Sequence, residues 1–350
     1  MSESLLVNEN SSNMTSERLT AIDLFSGCGG VTSGLRQAQF DVLAAVEIDR
    51  KAQETYRLNH PRVRLFNSDI RHVDPQALMF SLGLNPGDLS LLAGCPPCQG
   101  FSRLRTKNRA ISIDDPRNDL VFEFLRFSDV LRPQNILLEN VPALKDDPRF
   151  ERFISGLESI GYSCLVSVLD AADYGVPQRR RRLIMLASLG RTPNLPTPSA
   201  KRVTVRKALK GLVSPDLSND PLHTLPERRS ASVQKLISMI PKDGGSRRDL
   251  PPEYILACHK RVSGFSDVYG RMAWDKVSPT ITSGCHNPSK GRFLHPEEDR
   301  TITLREAALL QGFPKNYKFV VAHGKEAVAL MIGNALPPPL IAAHARSFLA

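Results

Sequence analysis

Cys98 lies in the run Gly94-Cys95-Pro96-Pro97-Cys98-Gln99-Gly100-Phe101-Ser102, directly after the apolar stretch 89–93. A thiolate suits attack on an electron-poor ring carbon, because it adds reversibly and leaves again. The two prolines fix the approach to Cys98 and reduce the entropy lost in holding its sulfur. Three other readings compete: a redox pair with Cys95, half of a zinc site, or simple burial. Redox pairs usually open a helix, whereas here prolines fill both intervening positions. No second Cys/His pair at ligand spacing follows. Burial is the expected fate of Cys95, and display at a strand end that of Cys98.

Two further groups carry charge at strand ends. Leu137-Leu138-Glu139-Asn140-Val141-Pro142 places a carboxylate after an apolar run, and Gln178-Arg179-Arg180-Arg181-Arg182 precedes another. A lone Glu at such a place is most often solvated or capping, and four successive arginines most often face water or phosphate. In a strand, however, Arg180 and Arg182 point the same way and can enter one site.

A third constellation reads as a ligand cradle. Phe25, Ser26, Gly27, Cys28, Gly29 and Gly30 follow an apolar strand and precede a helical pattern. Glycines there admit close backbone approach, and a helix N-terminus offers free N–H groups and positive potential. Glu47 follows 20 residues after Gly27, at the end of the next strand, where an acidic side chain reaches ribose hydroxyls. Asp69, after the third strand, is placed to accept from an adenine amino group. The set indicates an adenosine-containing ligand, a dinucleotide or S-adenosylmethionine, without choosing between them. A tight turn with no ligand is the alternative, and Glu47 and Asp69 in register weigh against it.

These groups need a scaffold that brings strand ends together. Candidate strands at 20–25, 42–47, 64–66, 89–93, 135–139, 164–169 and 182–187 alternate with helical patterns at 34–39, 51–59, 120–131 and 149–160. Such alternation predicts a doubly wound, mostly parallel α/β sheet displaying its functional loops at the C-terminal strand ends. Residues 190–200, with three prolines, read as a linker, and 201–299 lack clear periodicity. Thr303 and Glu306 are spaced as a capping box, so a helix begins there. The tail from Pro337 onward reads as an apolar helix.

Composition narrows the class. The 350 residues carry 46 Lys and Arg against 36 Asp and Glu, a formal charge of +10 that favours an anionic partner such as nucleic acid. Six cysteines in a chain of this length do not make a disulfide scaffold. The polar start is unlike a signal peptide, and no run approaches the roughly 20 uninterrupted apolar residues of a membrane span. A cytoplasmic location without membrane association is therefore expected.

Taken in order, these motifs resemble those of the C5-cytosine DNA methyltransferases of bacterial restriction-modification type. The resemblance rests on residues 25–30, Pro97-Cys98-Gln99, Glu139-Asn140-Val141 and Gln178-x-Arg180-x-Arg182. It continues in Arg305-Glu306, Leu310-Gln311-Gly312-Phe313-Pro314 and Gly333-Asn334-Ala335. It covers roughly 18–190 and 300–345, and leaves the middle region unmatched.

The resemblance implies a Rossmann-like fold binding S-adenosyl-L-methionine and a flipped-out cytosine in double-stranded DNA. Cys98 would attack C6 and Glu139 would donate a proton to N3, which burial beside the base would favour. Arg182, with Arg180, would bind O2 and hold Glu139. Residues 25–30 would surround the amino-acid moiety and Glu47 would meet the ribose. Ile48 would pack beside the adenine, Asp69 and Ile70 would bind its edge, and the Asn334-Ala335 turn would close over the methionine end. Ile48 stands where the family may use an aromatic, and Ala335 where Ser is common, so weaker adenine stacking and one lost side-chain hydrogen bond are expected. The domain expectation is a tail at 1–17, a catalytic part at 18–199, a target-recognition part at 200–332 and a returning segment at 333–350. Residues 101–117, with Arg103, Arg105, Lys107, Arg109 and Arg117, read as a loop closing on DNA phosphates. Residues 264–271 and 283–292 are candidate base-reading loops, with His286, Asn287 and Lys290 in the second.

No metal is expected, and the chain is expected to act as a monomer. A cognate restriction endonuclease would share its site without a stable complex. Three rivals remain: the same chemistry on RNA, a non-catalytic DNA-binding module of this fold, and a nicotinamide dehydrogenase. The last explains residues 25–30 and Glu47 but leaves the other motifs idle.

Overall fold

Leu91–Gly94 and Asn135–Asn140 are buried at every position, as strands covered on both faces must be. The computed structural model describes residues 19–97, 116–254 and 267–349. Within it seven strands form one sheet: β1 (Thr20–Leu24), β2 (Asp41–Val46), β3 (Arg64–Phe66), β4 (Leu91–Gly94), β5 (Asn135–Asn140), β6 (Tyr162–Asp170) and β7 (Arg181–Leu189). Their order is β3-β2-β1-β4-β5-β7-β6. The pairs from β3 to β5 are parallel, and β7 runs antiparallel to both β5 and β6. Strand order reverses between β1 and β4, which opens a crevice at their C-terminal ends.

Helices cover both faces. On one, α3 (Pro75–Ser81), α4 (Leu120–Leu131) and α5 (Pro148–Ser159) bring Leu78, Phe124, Phe127 and Phe153 onto Ile22, Leu24, Leu92 and Leu138. On the other, α1 (Gly30–Gln37) and α10 (Pro338–Arg346) bring Val31, Leu35, Leu340 and Ile341 onto Ala21, Ala93, Leu137 and Ile184. Neighbouring residues of a strand thus enter opposite cores, as a period of two requires. The helix α2 (Arg50–Asn59) begins at Asp49, whose side chain accepts from Ala52 N–H.

A third core joins α6 (Val205–Leu209), α8 (Leu304–Leu310) and α9 (Lys325–Asn334) through Leu209, Leu304, Leu310, Val328 and Ile332. The expected capping box is present: Thr303 and Glu306 exchange side-chain-to-backbone hydrogen bonds at the start of α8. A smaller cluster gathers Ile237 and Ile240, at the end of α7 (Ala231–Met239), with Leu250, Tyr269 and Leu294.

Little regular structure supports this last region, so one side chain satisfies much of its backbone. Arg271 is fully buried and donates to the carbonyls of Ile237, Ile240, His295 and Glu298 at 2.6–3.0 Å. Two of those carbonyls lie at the C-terminal end of α7, where a cation also meets the negative pole of the helix. Arg271, the last residue of the candidate base-reading stretch 264–271, is thus a structural residue, and residues 264–266 of that stretch lie outside the described residues.

The segment Lys325–Arg346 is long and apolar enough to cross a membrane by composition alone. It is broken into α9 and α10 around Leu336 and Pro337, and 61% of its most apolar window is buried against the rest of the chain.

Candidate active site

Glu139 occupies the last turn of backbone in β5 and is 2% exposed. In the β5–β7 register it stands opposite Ile184. Arg182 is two residues from Ile184, so it shares that face and reaches Glu139 diagonally. Its Nε lies 2.9 Å from Glu139 Oε1. The neighbouring strand supplies the second partner. Gly94 pairs with Leu138, which brings Cys95 level with Glu139, and Cys95 Sγ donates to Glu139 Oε2 at 3.1 Å. Oε2 is therefore hydrogen-bonded, while Oε1 is ion-paired with Arg182 but accepts no hydrogen bond from the described residues.

Asn140, the next residue, anchors the segment that follows β4. Its side-chain amide donates to Pro96 O at 2.9 Å, and its own oxygen accepts from Val141 N–H. Cys98 itself, with Gln99, Gly100 and residues 101–115 of the expected DNA-closing loop 101–117, lies outside the described residues. Because β4 and β5 are adjacent, Cys95 and Pro96 lie beside Glu139 and Asn140.

Arg180 differs from its expected use. It is 4% exposed, and its terminal nitrogens donate to Ile281 O at 3.1 Å, Gly333 O at 3.1 Å and Ala335 O at 3.4 Å. Only Nε is without a hydrogen-bond partner. Burial and the nearby Arg182 push its pKa down to about 9, which still leaves it charged at neutral pH. It clamps three chain segments and leaves one N–H for anything in the site. Gln178, fully buried, works beside it: it donates to Gln311 Oε1 and Leu310 O and accepts from Ile281 N–H. Gln311 in turn donates to Ala335 O. The start of β7, residues near Ile281, the end of α8 and the α9–α10 turn thus meet in one polar junction.

The cradle at the end of β1 is a turn with three positive φ angles, 60° at Phe25, 54° at Gly27 and 96° at Gly29. Gly29 needs its lack of a side chain twice, because a Cβ there would also lie 2.6 Å from His60 and Tyr317. Glu47 ties the turn down, accepting from Gly27 N–H and Asp49 N–H at 2.7 Å each. Burial raises its pKa, against the pull of those two donors. Each carboxylate oxygen retains a lone pair for a further donor. Ser26 Oγ is buried and has no protein partner. At Gly30 a Cβ would lie 2.4 Å from Leu336 O, so the α9–α10 turn rests directly on the cradle. Asn334 is exposed at that turn and Ala335 half-buried, its carbonyl engaged by Arg180 and Gln311.

The remaining expected contacts vary in readiness. Ile48 is 64% exposed beside Glu47, an apolar face open to a flat ligand. Asp69 pairs with Arg71 through both oxygens, which holds its pKa down at about 2. Ile70 is buried in the core beneath β1 and β2, leaving its backbone as the part a ligand meets. In the second base-reading stretch Asn287 caps the turn Pro288–Lys290, Lys290 is exposed, and His286 is half-buried. Among the described residues no group of three His, Cys, Asp or Glu could hold a metal ion.

Comparison with known proteins decides what this arrangement belongs to. The profile of the C-5 cytosine-specific DNA methylase family matches residues 19–350. The chain belongs to this family. It is a DNA (cytosine-5)-methyltransferase of restriction-modification type. It is 38% identical to the Type II methylase M.HgiDII of Herpetosiphon aurantiacus over 91% of this chain and 92% of that protein. It is 33% identical to the Type II methyltransferase M1.HphI of Haemophilus parahaemolyticus, covering 95% of this chain and 87% of that one. Among solved structures, a DNA modification methyltransferase encoded within an Escherichia coli prophage superposes with a TM-score of 0.68 at 27% identity, over 95% of this chain and 98% of that one.

Methyltransferases of this family use S-adenosylmethionine, and the cradle fits such a molecule. The orphaned Ser26 hydroxyl, the spare Glu47 lone pairs and the side-chain-free turn are what an adenosyl amino acid requires.

The sequence reading missed several residues of this site. Asn140 was quoted within a motif yet given no role. Cys95 is expected to be merely buried, and Gln178 has no signal of its own. Strand pairing sets Cys95 beside Glu139, whereas tertiary packing brings Asn140 to Pro96 O and Gln178 to Gln311, Leu310 and Ile281.

Proposed function

We propose that this methyltransferase transfers the methyl group of S-adenosyl-L-methionine to C5 of a flipped-out cytosine in a specific double-stranded DNA sequence, through a covalent bond between Cys98 and C6. The observation that carries the reading is Glu139, buried at a strand end between Arg182 and Cys95, beside the Pro96 carbonyl of the Cys98 loop. In this reading the Cys98 thiolate adds to C6 while Glu139 gives its proton to N3, so the charge created by the attack is neutralised on the base. Arg182 orients Glu139 and offers its outer nitrogens to O2. Arg180, through its remaining N–H, supports the same side of the base. When bound, S-adenosylmethionine supplies the methyl group, with residues 25–30, Glu47, Ile48, Asp69, Ile70, Asn334 and Ala335 holding it. Cys98 leaves when the C5 proton is lost.

We further infer a catalytic part at 18–199 completed by the segment 333–350, and a target-recognition part at 200–332. Support comes from α10 packing on α1, and from the separate cores around α6–α9 and α7. The protein would act as a cytoplasmic monomer that protects host DNA from an endonuclease cutting the same site. The formal charge of +10 fits a phosphate-rich partner.

Incubation with tritiated S-adenosylmethionine and unmethylated DNA, with Cys98→Ser alongside, tests the reaction. Label in 5-methylcytosine that disappears in the variant is expected. Label in RNA but not DNA would transfer the reading to an RNA substrate, and no label in either would end it.

Glu47→Gln tests the cradle. An amide cannot accept from both Gly27 N–H and Asp49 N–H, so one donor meets a donor. Loss of about 1–3 kcal/mol follows, equivalent to roughly 5–150-fold weaker cofactor binding by calorimetry. Unchanged affinity would remove Glu47 from the cofactor site.

A further inference from the structure

Cys95 Sγ sits 3.1 Å from Glu139 Oε2, and Arg182 Nε sits 2.9 Å from Oε1. The two partners differ in kind. A guanidinium carries only positive charge and N–H groups, so it favours negative charge on Oε1, which accepts no hydrogen bond from the described residues. A thiol donates weakly and accepts weakly, so it tolerates Oε2 with or without a proton. The oxygen beside Cys95 is the one whose partner suits either form of the carboxyl.

We propose that Cys95 is a positioning residue for Glu139, holding Oε2 in place and stabilising the carboxylate that remains after proton transfer. The inference rests on the reading of Glu139 as the acid. In the step concerned, the Oε2–H bond breaks, the N3–H bond forms, and the S–H of Cys95 turns to donate to the new negative charge. Because the charge on Oε2 grows along the reaction, this hydrogen bond strengthens towards the transition state and acts on kcat more than on binding.

Backbone geometry supports a dedicated position. Cys95 follows Gly94, whose register partner is Leu138, so the parallel pair sets residues 95 and 139 side by side. Gly94 itself tolerates no side chain, since a Cβ would meet Leu24 O at 2.3 Å, which keeps β1, β4 and β5 in close alignment there. The side chain at 95 must then be small enough for the space and able to bond a carboxyl in either protonation state. Cysteine meets both conditions.

The test compares wild type, Cys95→Ala and Cys95→Ser under single-turnover conditions with radiolabelled S-adenosylmethionine and duplex DNA. Cys95→Ala is expected to slow methyl transfer about tenfold, with cofactor and DNA dissociation constants within about twofold of wild type. Cys95→Ser, which restores a donor and acceptor, is expected to recover most of the rate. A wild-type rate in Cys95→Ala overturns the proposal. So does a Ser variant as slow as Ala, or a loss confined to KM, because each indicates packing alone. An inactive wild-type protein would instead overturn the reading of Glu139, and the two failures are thereby distinguished. If Cys95→Ala does not fold, Cys95→Ser with a normal melting temperature and a tenfold lower rate overturns the proposal by itself.

Discussion

Glu139→Gln is expected to lower the single-turnover rate of methyl transfer by about 10²–10⁴-fold. The substitution keeps shape and most hydrogen bonding. The amide oxygen takes the place of Oε1 beside Arg182 Nε, and the amide nitrogen that of Oε2 beside Cys95, whose sulfur then accepts. What disappears is the transferable proton. Cys98 can still reach C6, but the negative charge it creates stays on the base. Cofactor affinity should not move, because Glu139 belongs to β5 and the cradle to β1 and β2. Some stability will be lost, since Arg182, only 17% exposed, faces an amide that can never carry the compensating charge. Rates must therefore be compared at a temperature where both proteins are folded. A variant within about tenfold of wild type would show that N3 is protonated by something other than Glu139.

The sheet was legible from the sequence because apolar runs in a parallel sheet are continuous and bounded by polar turns. The expected strand at 64–66 and helix at 120–131 coincide with β3 and α4. The helix α3 went unread because Leu78, Met79 and Phe80 are consecutive and show no helical spacing. Its start nevertheless carries a signal in Asp74-Pro75, an N-cap followed by proline at the first position. Glu139 and Glu47 were legible in placement, because each is a carboxylate directly after an apolar run and so falls at a strand end. The site was not legible where a side chain acts across strands. Arg180 and Arg182 share a face by parity, but parity cannot show that Arg180 meets three carbonyls from two distant segments. Those carbonyls come from loops whose paths depend on tertiary packing. Arg271 shows the same limit, because an arginine in a loop reads as exposed until its acceptors are known.

Asp23→Asn is expected to flatten the dependence of stability on pH between about 4 and 7. Asp23 lies in β1 and is fully buried; Oδ2 accepts from both the N–H and the hydroxyl of Thr32, while Oδ1 has no protein partner. Thr32 is the third residue of α1, and the N-cap, Gly29, has no side chain to satisfy it. Asp23 thus caps α1 from the preceding strand and fixes the cradle between them. The position is costly for a charge. Burial outweighs the Thr32 hydrogen bonds and pushes the pKa from 3.8 up to about 7. The folded value lies above the unfolded one, so between about 4 and 7 the native state holds a proton that the unfolded chain has released. Unfolding free energy therefore falls as pH rises through that window, by at most about 4 kcal/mol. Asparagine keeps an acceptor for Thr32 and removes the ionisation. Its amide hydrogens meet the side of Oδ1, where no acceptor waits, so the variant should be no more stable than wild type near pH 4.5. At pH 8 it should be the more stable by roughly 1–3 kcal/mol, the difference between the removed charge and the unpaired amide. Urea unfolding of the pair at pH 4.5, 6 and 8 reads this directly, because every other titrating group cancels in the difference. Parallel curves would mean that Asp23 keeps an ordinary carboxylate pKa in the folded chain, and that α1 draws on its negative charge as well as its oxygen.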